Sequence, residues 1–106
     1  MSPEIIELVA GRFRALAEPA RLHLMNLLRS EEYTVSDLAD ASGMSTANVS
    51  KHLQVLHGAA FVARRKEGLH VFYRIASDDV FHLCDIMCGQ LDAEAEARRR
   101  VLGRRT

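Results

Sequence analysis

Between residues 45 and 54 the chain gathers Ser45, Thr46, Asn48, Ser50, Lys51, His52 and Gln54, hydrogen-bonding groups with little apolar bulk between them. Amides and hydroxyls can read base edges, small side chains permit close approach, and a cation meets phosphate. Thr46, Ala47, Asn48, Ser50, Lys51 and Gln54 fall opposite Val49, Leu53 and Leu56, which recur at i, i+4, i+7 as on an amphipathic helix. Ser45 caps this helix, and the N–H groups of a helix start favour phosphate. Arg64, Arg65 and Lys66 follow. With Lys51 and Arg74 they form a basic stretch opposed by Glu67 alone, to which His52, His57 and His70 add when protonated. Asn48, Ser50, Lys51 and Gln54 are expected in a DNA groove, and Arg64, Arg65 and Lys66 against its backbone.

Cys84 and Cys88 offer a second chemistry. At i, i+4 they share one face of a helix, with β-carbons roughly 5–6 Å apart. A disulfide needs roughly 3.5–4.5 Å, so they do not bridge to each other while the helix is intact. Three readings stand. The pair ligates a thiophilic species such as arsenite or a soft divalent metal, with a further ligand from elsewhere. Each thiol reacts with an oxidant or reactive sulfur species, or bridges to its mate in a dimer. Or both are small hydrophobes in an apolar stripe.

The elements that must position these groups follow in order. Ser2-Pro3-Glu4 opens a helix, with Ile5, Leu8, Val9, Phe13 and Leu16 as its stripe and Ile6 widening it. Glu18-Pro19 interrupts it. Residues 20–29 resume with Leu22, Met25, Leu27 and Leu28 as core, and residues 30–33 form a polar linker with Glu31 and Glu32 solvated. Thr34 caps a helix with Asp37 in its first turn and Val35, Leu38 and Ala39 inward, and Gly43 ends it. Residues 61–65 and 69–75 read as a hairpin joined by Lys66-Glu67-Gly68. Ser77-Asp78-Asp79 caps a final helix carrying Phe81, Cys84, Cys88, Leu91 and Ala95, and Gly103-Arg104-Arg105-Thr106 should fray. The fold class is mainly α: a winged helix-turn-helix of about five helices plus a two-stranded wing, one domain over 1–106. Its terminal helices, 4–17 and 79–100, are too apolar for the edge of a small domain and should form a homodimer interface.

At 48% hydrophobic and 26% charged the chain suits a globular domain, and a net charge of zero argues for a local rather than general nucleic-acid surface. With no bilayer-length apolar run and no signal-peptide pattern, it is expected in the cytoplasm with no membrane partner. An enzyme is disfavoured. Cys-x-x-x-Cys inside a helix gives little thiolate activation, and neither a phosphate loop nor a nucleophile–base pair is present.

Taken together, the order helix, helix, helix-turn-helix, β-wing, helix resembles the ArsR/SmtB family of winged-helix repressors over almost the whole chain. The residues that carry the likeness are Leu16-Ala17-Glu18-Pro19-Ala20-Arg21-Leu22, Val49-Ser50-Lys51-His52-Leu53-Gln54-Val55-Leu56, Arg64-Arg65-Lys66-Glu67-Gly68 and Tyr73-Arg74. Ser50, Lys51 and His52 lie in the family's recognition-helix motif. The resemblance implies a homodimeric repressor on double-stranded operator DNA, released by a metal, a metalloid or thiol chemistry. Where members often carry Ala-Gly-Leu-Val before the wing, this chain has Ala59-Ala60-Phe61-Val62. The family's cysteine box is replaced by Ser36-Asp37-Leu38-Ala39-Asp40. Asp79 and His82 are misplaced for its zinc and nickel site. Cys84 and Cys88 are therefore the expected sensor. The competing readings are packing cysteines in a regulator with no thiol sensing, or a dimerising module without DNA.

Overall fold

The computed structural model describes residues 1–103, and the expected fraying of Arg104, Arg105 and Thr106 lies outside the described residues. The order is α1 (Pro3–Leu16), α2 (Pro19–Leu28), β1 (Tyr33–Thr34), α3 (Val35–Ser42), α4 (Thr46–Gly58), β2 (Val62–Glu67), β3 (His70–Ile75) and α5 (Asp79–Gly103). This is the winged helix-turn-helix expected. Two details differ. Tyr33, expected in a linker, and Thr34, expected only as a helix cap, pair with Tyr73 and Phe72 to add a third strand, giving the sheet order β1-β3-β2. Gly103, expected in the frayed tail, is the last residue of α5.

Local chemistry sets the boundaries. Ser2, Thr34 and Ser45 each accept the backbone N–H three residues on, from Ile5, Asp37 and Asn48 at 3.2, 3.1 and 3.1 Å. A cap of this kind stabilises a helix by about 1 kcal/mol. Pro19 fits the first position of α2, where its missing N–H costs nothing. Gly43 takes φ +75° and closes α3 in the left-handed region that glycine tolerates.

The core joins α2, α3, α4, the sheet and the first turn of α5. Leu24, Leu38, Val49, Leu53 and Leu56 are wholly buried, with Met25, Leu28, Val62, Tyr73, Val80 and Phe81 around them. Each fully buried aliphatic side chain of this size stabilises by roughly 1.5–3 kcal/mol. Of the residues expected as the α2 core, Met25, Leu27 and Leu28 pack inward, but Leu24 is buried where Leu22 was expected, and Leu22 is 41% exposed. Leu24 and Leu28 are four apart and face the core with Met25, which puts Leu22 on the other side of the helix. Among the described residues no helix is long and apolar enough to cross a membrane.

The end of α4 is closed by two hydrogen bonds, Phe61 N–H to Leu56 C=O and Ala60 N–H to His57 C=O, both 3.0 Å. This is the Schellman arrangement, and it puts Ala60 at φ +63°. An alanine there costs about 1–2 kcal/mol relative to its right-handed form, which glycine avoids at an entropic cost of about 0.5–1 kcal/mol. Ala60→Gly is expected to stabilise the protein by about 0.5–1 kcal/mol in chemical denaturation with an unchanged m-value. An equal or lower midpoint would show the turn is not strained.

Candidate nucleic-acid interface

What α4 can offer a ligand depends on which of its faces is free. Val49, Leu53 and Leu56 are held inside, so the opposite face must point to solvent. Thr46, Ala47, Asn48, Lys51 and Gln54 are exposed, and Ser45 is exposed at the N-terminal end. Ser50 and His52 lie half-buried on the two flanks, and the Nδ1 of His52 is buried without a hydrogen-bond partner. The chain thus presents a strip of Thr46, Asn48, Lys51 and Gln54. Val55, not singled out from sequence, joins it at 38% exposed. Lys51 makes no ion pair among the described residues.

The turn that aims α4 is short and internally bonded. Ser42 Oγ donates to the Ala39 carbonyl at 3.4 Å and accepts the Met44 N–H at 3.2 Å. Met44 packs on the core beside α4. These contacts fix α4 against α3 over the three residues Gly43–Ser45.

β2 and β3 pair antiparallel from Val62↔Ile75 to Glu67↔His70, leaving Gly68 and Leu69 as the turn. Gly68 takes φ +61°, as the first position of a type II′ hairpin turn requires, and Leu69 at the tip is 97% exposed. Alternation along β2 separates the three expected cations. Arg64 and Lys66 share the face of Val62, and Arg65 shares the other with Ala63 and Glu67. All three are exposed. Arg64 and Lys66 form no ion pair among the described residues.

Arg65 differs. Its Nε donates to both carboxylate oxygens of Glu32, at 2.9 and 3.2 Å, and its Nη1 donates to Glu67 at 2.6 Å. The guanidinium carbon lies 4.6 Å from the centre of the Phe72 ring. The hydrogen bond to Glu32, then that to Glu67, pushes the Arg65 pKa further up, and the same bond holds Glu32 below the ordinary glutamate value. Arg65, expected with Arg64 and Lys66 against a DNA backbone, is instead engaged by two carboxylates of its own chain, and Glu32, expected to be solvated, is one of them. The pairing was hidden because the two residues are 33 positions apart and meet only once β1 joins the sheet.

The terminal helices present apolar faces to solvent. On α1 only Ala15 is buried, while Ile5, Ile6, Leu8 and Phe13 are about half exposed or more. On α5 only Val80 and Phe81 are buried, and Leu83, Ile86, Met87 and Leu91 are exposed. Cys84 is half-buried and Cys88 exposed. Both line a cleft of about 220 Å³ between α2 and α5 with Leu22, Met25, Arg29 and Phe81. Among the described residues no three His, Cys, Asp or Glu side chains converge as a metal site would need. Within one subunit the donor set therefore does not fit a bound metal.

Comparisons with known proteins agree with this geometry. The profile described as "Bacterial regulatory protein, arsR family" matches residues 18–64. The transcriptional repressor SmtB homolog of Synechocystis is 38% identical over 88 residues, spanning 78% of this chain and 67% of that protein. The crystal structure of Mycobacterium tuberculosis Rv0081 superposes with a TM-score of 0.79 at 31% identity, covering 92% of this chain and 98% of that one. The homodimeric winged helix-turn-helix DNA-binding domain of Mb0332 from Mycobacterium bovis gives 0.76 at 34% identity, covering 87% and 88%.

The Glu32–Arg65 contact carries a pH signature. Glu32 is held below its ordinary value of 4.5, so the contact's contribution is complete above that value and is lost as pH falls through the lowered midpoint. In an NMR titration the Glu32 carboxyl should titrate below 4.5, and Arg65→Gln should raise its midpoint. A midpoint unmoved by the substitution would mean the pair does not form in solution.

Proposed function

The chain belongs to the ArsR family of bacterial regulatory proteins, and from that premise we propose that it is a homodimeric, sequence-specific DNA-binding transcriptional repressor. The observation that carries this reading is the single exposed polar strip on α4, rigidly backed by Val49, Leu53 and Leu56 and flanked by a basic wing. Asn48 and Gln54 have the donor and acceptor sets that pair with adenine edges, Ser50 and Thr46 bond either base or phosphate, and Lys51 meets phosphate. Ser45 and the first N–H groups of α4 receive a backbone phosphate. His52 borders this strip on its flank. Arg64 and Lys66 lie along the DNA backbone beside the groove.

The exposed apolar faces of α1 and α5 support a second copy of the chain as the partner that covers them. A two-fold dimer sets its two α4 helices roughly 34–36 Å apart, one turn of duplex, so operator half-sites are read together. Lys51→Ala should weaken binding to a duplex from upstream of its own coding sequence by on the order of tenfold and lower the salt slope by about one. Unchanged affinity and slope would remove Lys51 from the interface.

Release from DNA is assigned to thiol chemistry at Cys84 and Cys88. The support is their position at the α2–α5 seam, one thiol open to reagents and its neighbour part-sheltered in the cleft. An oxidant or reactive sulfur species meets Cys88 first, and a polar adduct in that seam disfavours the packing of Phe81 and Met25 beside it. A tilt of α5 then changes the spacing of the two α4 helices. Arsenite or a soft metal would need a further ligand from the second copy. The Cys84→Ser, Cys88→Ser protein should bind operator as the parent does and fail to release it on treatment with persulfide, arsenite or cadmium. Release matching the parent's would leave the cysteines as packing groups only.

A further inference from the structure

The outer face of the sheet carries an arrangement that DNA contact alone does not require. Its strands lie in the order β1-β3-β2. In register across them stand Thr34 on β1, Phe72 on β3 and Arg65 on β2. Glu32 immediately precedes β1. The Arg65 side chain leaves β2, lies over the Phe72 ring of β3 and reaches the Glu32 carboxylate beyond β1, while Glu67 on its own strand holds Nη1. One guanidinium thus spans the full width of the sheet and uses its ring-stacking face, its Nε–H and an Nη–H together.

We propose that Arg65 is a positioning residue, a strap that fixes the angle between the wing and the helix-turn-helix, rather than a phosphate contact. The inference rests on the DNA-binding reading above and assigns one of its residues a different part. β1 holds the α2–α3 connection to the wing by only two paired residues, Tyr33↔Tyr73 and Thr34↔Phe72. A two-residue ladder is a short tie on this face; on the opposite face the wing is held by Val62 and Tyr73, buried in the core with Val71 and Ile75 packed beside them. The strap adds a second tie on the same side, from the segment that leads into α3 to the strand that carries Arg64 and Lys66. An isolated exposed ion pair adds little, but here two carboxylates and an aromatic face act on one planar group, whose forked donors lysine lacks. Because Arg65 is held against the sheet, Arg64 and Lys66 on the other face are the unpaired cations of β2.

The test compares Arg65→Gln, Arg65→Lys, Glu32→Gln and the Arg65→Gln, Glu32→Gln double variant in binding to a duplex from upstream of the gene across a salt series. The strap predicts that all three single variants weaken binding by about three- to fivefold with the parent's salt slope, and that the double variant is no weaker than either parent single. A phosphate contact predicts the opposite pattern. Arg65→Gln lowers the salt slope by about one, Arg65→Lys retains affinity, and Glu32→Gln tightens binding by removing a negative charge and freeing the cation; any of these outcomes overturns the proposal. A DNA-free readout separates this failure from failure of the DNA-binding reading. Amide exchange at Thr34 and Phe72 in the free protein should quicken severalfold in Arg65→Gln and in Glu32→Gln alike. If the parent binds no duplex but exchange quickens, the strap stands and the regulator reading falls. Exchange unchanged in both variants sinks the strap.

Discussion

Everything the protein presents to a ligand depends on how three side chains of α4 are buried. Val49, Leu53 and Leu56 have no exposed surface, and they insert among Leu24, Leu38 and Met25 from the two preceding helices. Interiors packed at crystal-like density do not let such a helix roll. The inner stripe therefore fixes the rotation of α4, and rotation decides which side chains face outward. Thr46, Asn48, Lys51 and Gln54 need no contacts of their own to be positioned. The capped start at Ser45 and the Schellman turn at Ala60 fix where the helix begins and ends.

How much of this was legible in the chain differs by element. The helix-turn-helix was read correctly because its signals are local: two caps, a glycine at the left-handed position and an i, i+4, i+7 stripe lie within a few residues of what they control. The second helix was read with one position misplaced: Met25, Leu27 and Leu28 pack inward as expected, but Leu22 was named where Leu24 is buried. α2 has Leu22, Leu24, Met25, Leu27 and Leu28 within seven positions, so its apolar residues almost encircle it and periodicity does not choose a face. Tertiary packing chose Leu24, Met25 and Leu28. β1 was missed because two residues carry no pattern, and its partners are about forty positions away. The exposed polar face of α4 was legible as a set, while its finer sorting, with Ser50 and His52 on the flanks, required the helix to be seated.

The wing shows how far charge counting reaches. From sequence its cations are equivalent. Strand alternation makes them unequal, since neighbours on β2 lie on opposite faces, and only one face has Phe72 and Glu32 within reach. The exposure of α1 and α5 belongs to the same theme. Their apolar stripes were visible in the chain, yet the subunit leaves them bare, and a surface of that size on a small domain marks an interaction site.

The attachment of α5 has a mechanical consequence. The helix is anchored at Val80 and Phe81, where Arg29 also lies 4.5 Å from the Phe81 ring, Cys84 and Cys88 border the cleft against α2, and the turns that follow are exposed. From that pivot to Gly103 it extends roughly 33 Å at the α-helical rise. A rotation of about 5° at the pivot carries the far end through roughly 3 Å by this lever length. Distortions smaller than a methyl group beside the fulcrum thus become displacements as large as a water molecule at the other end.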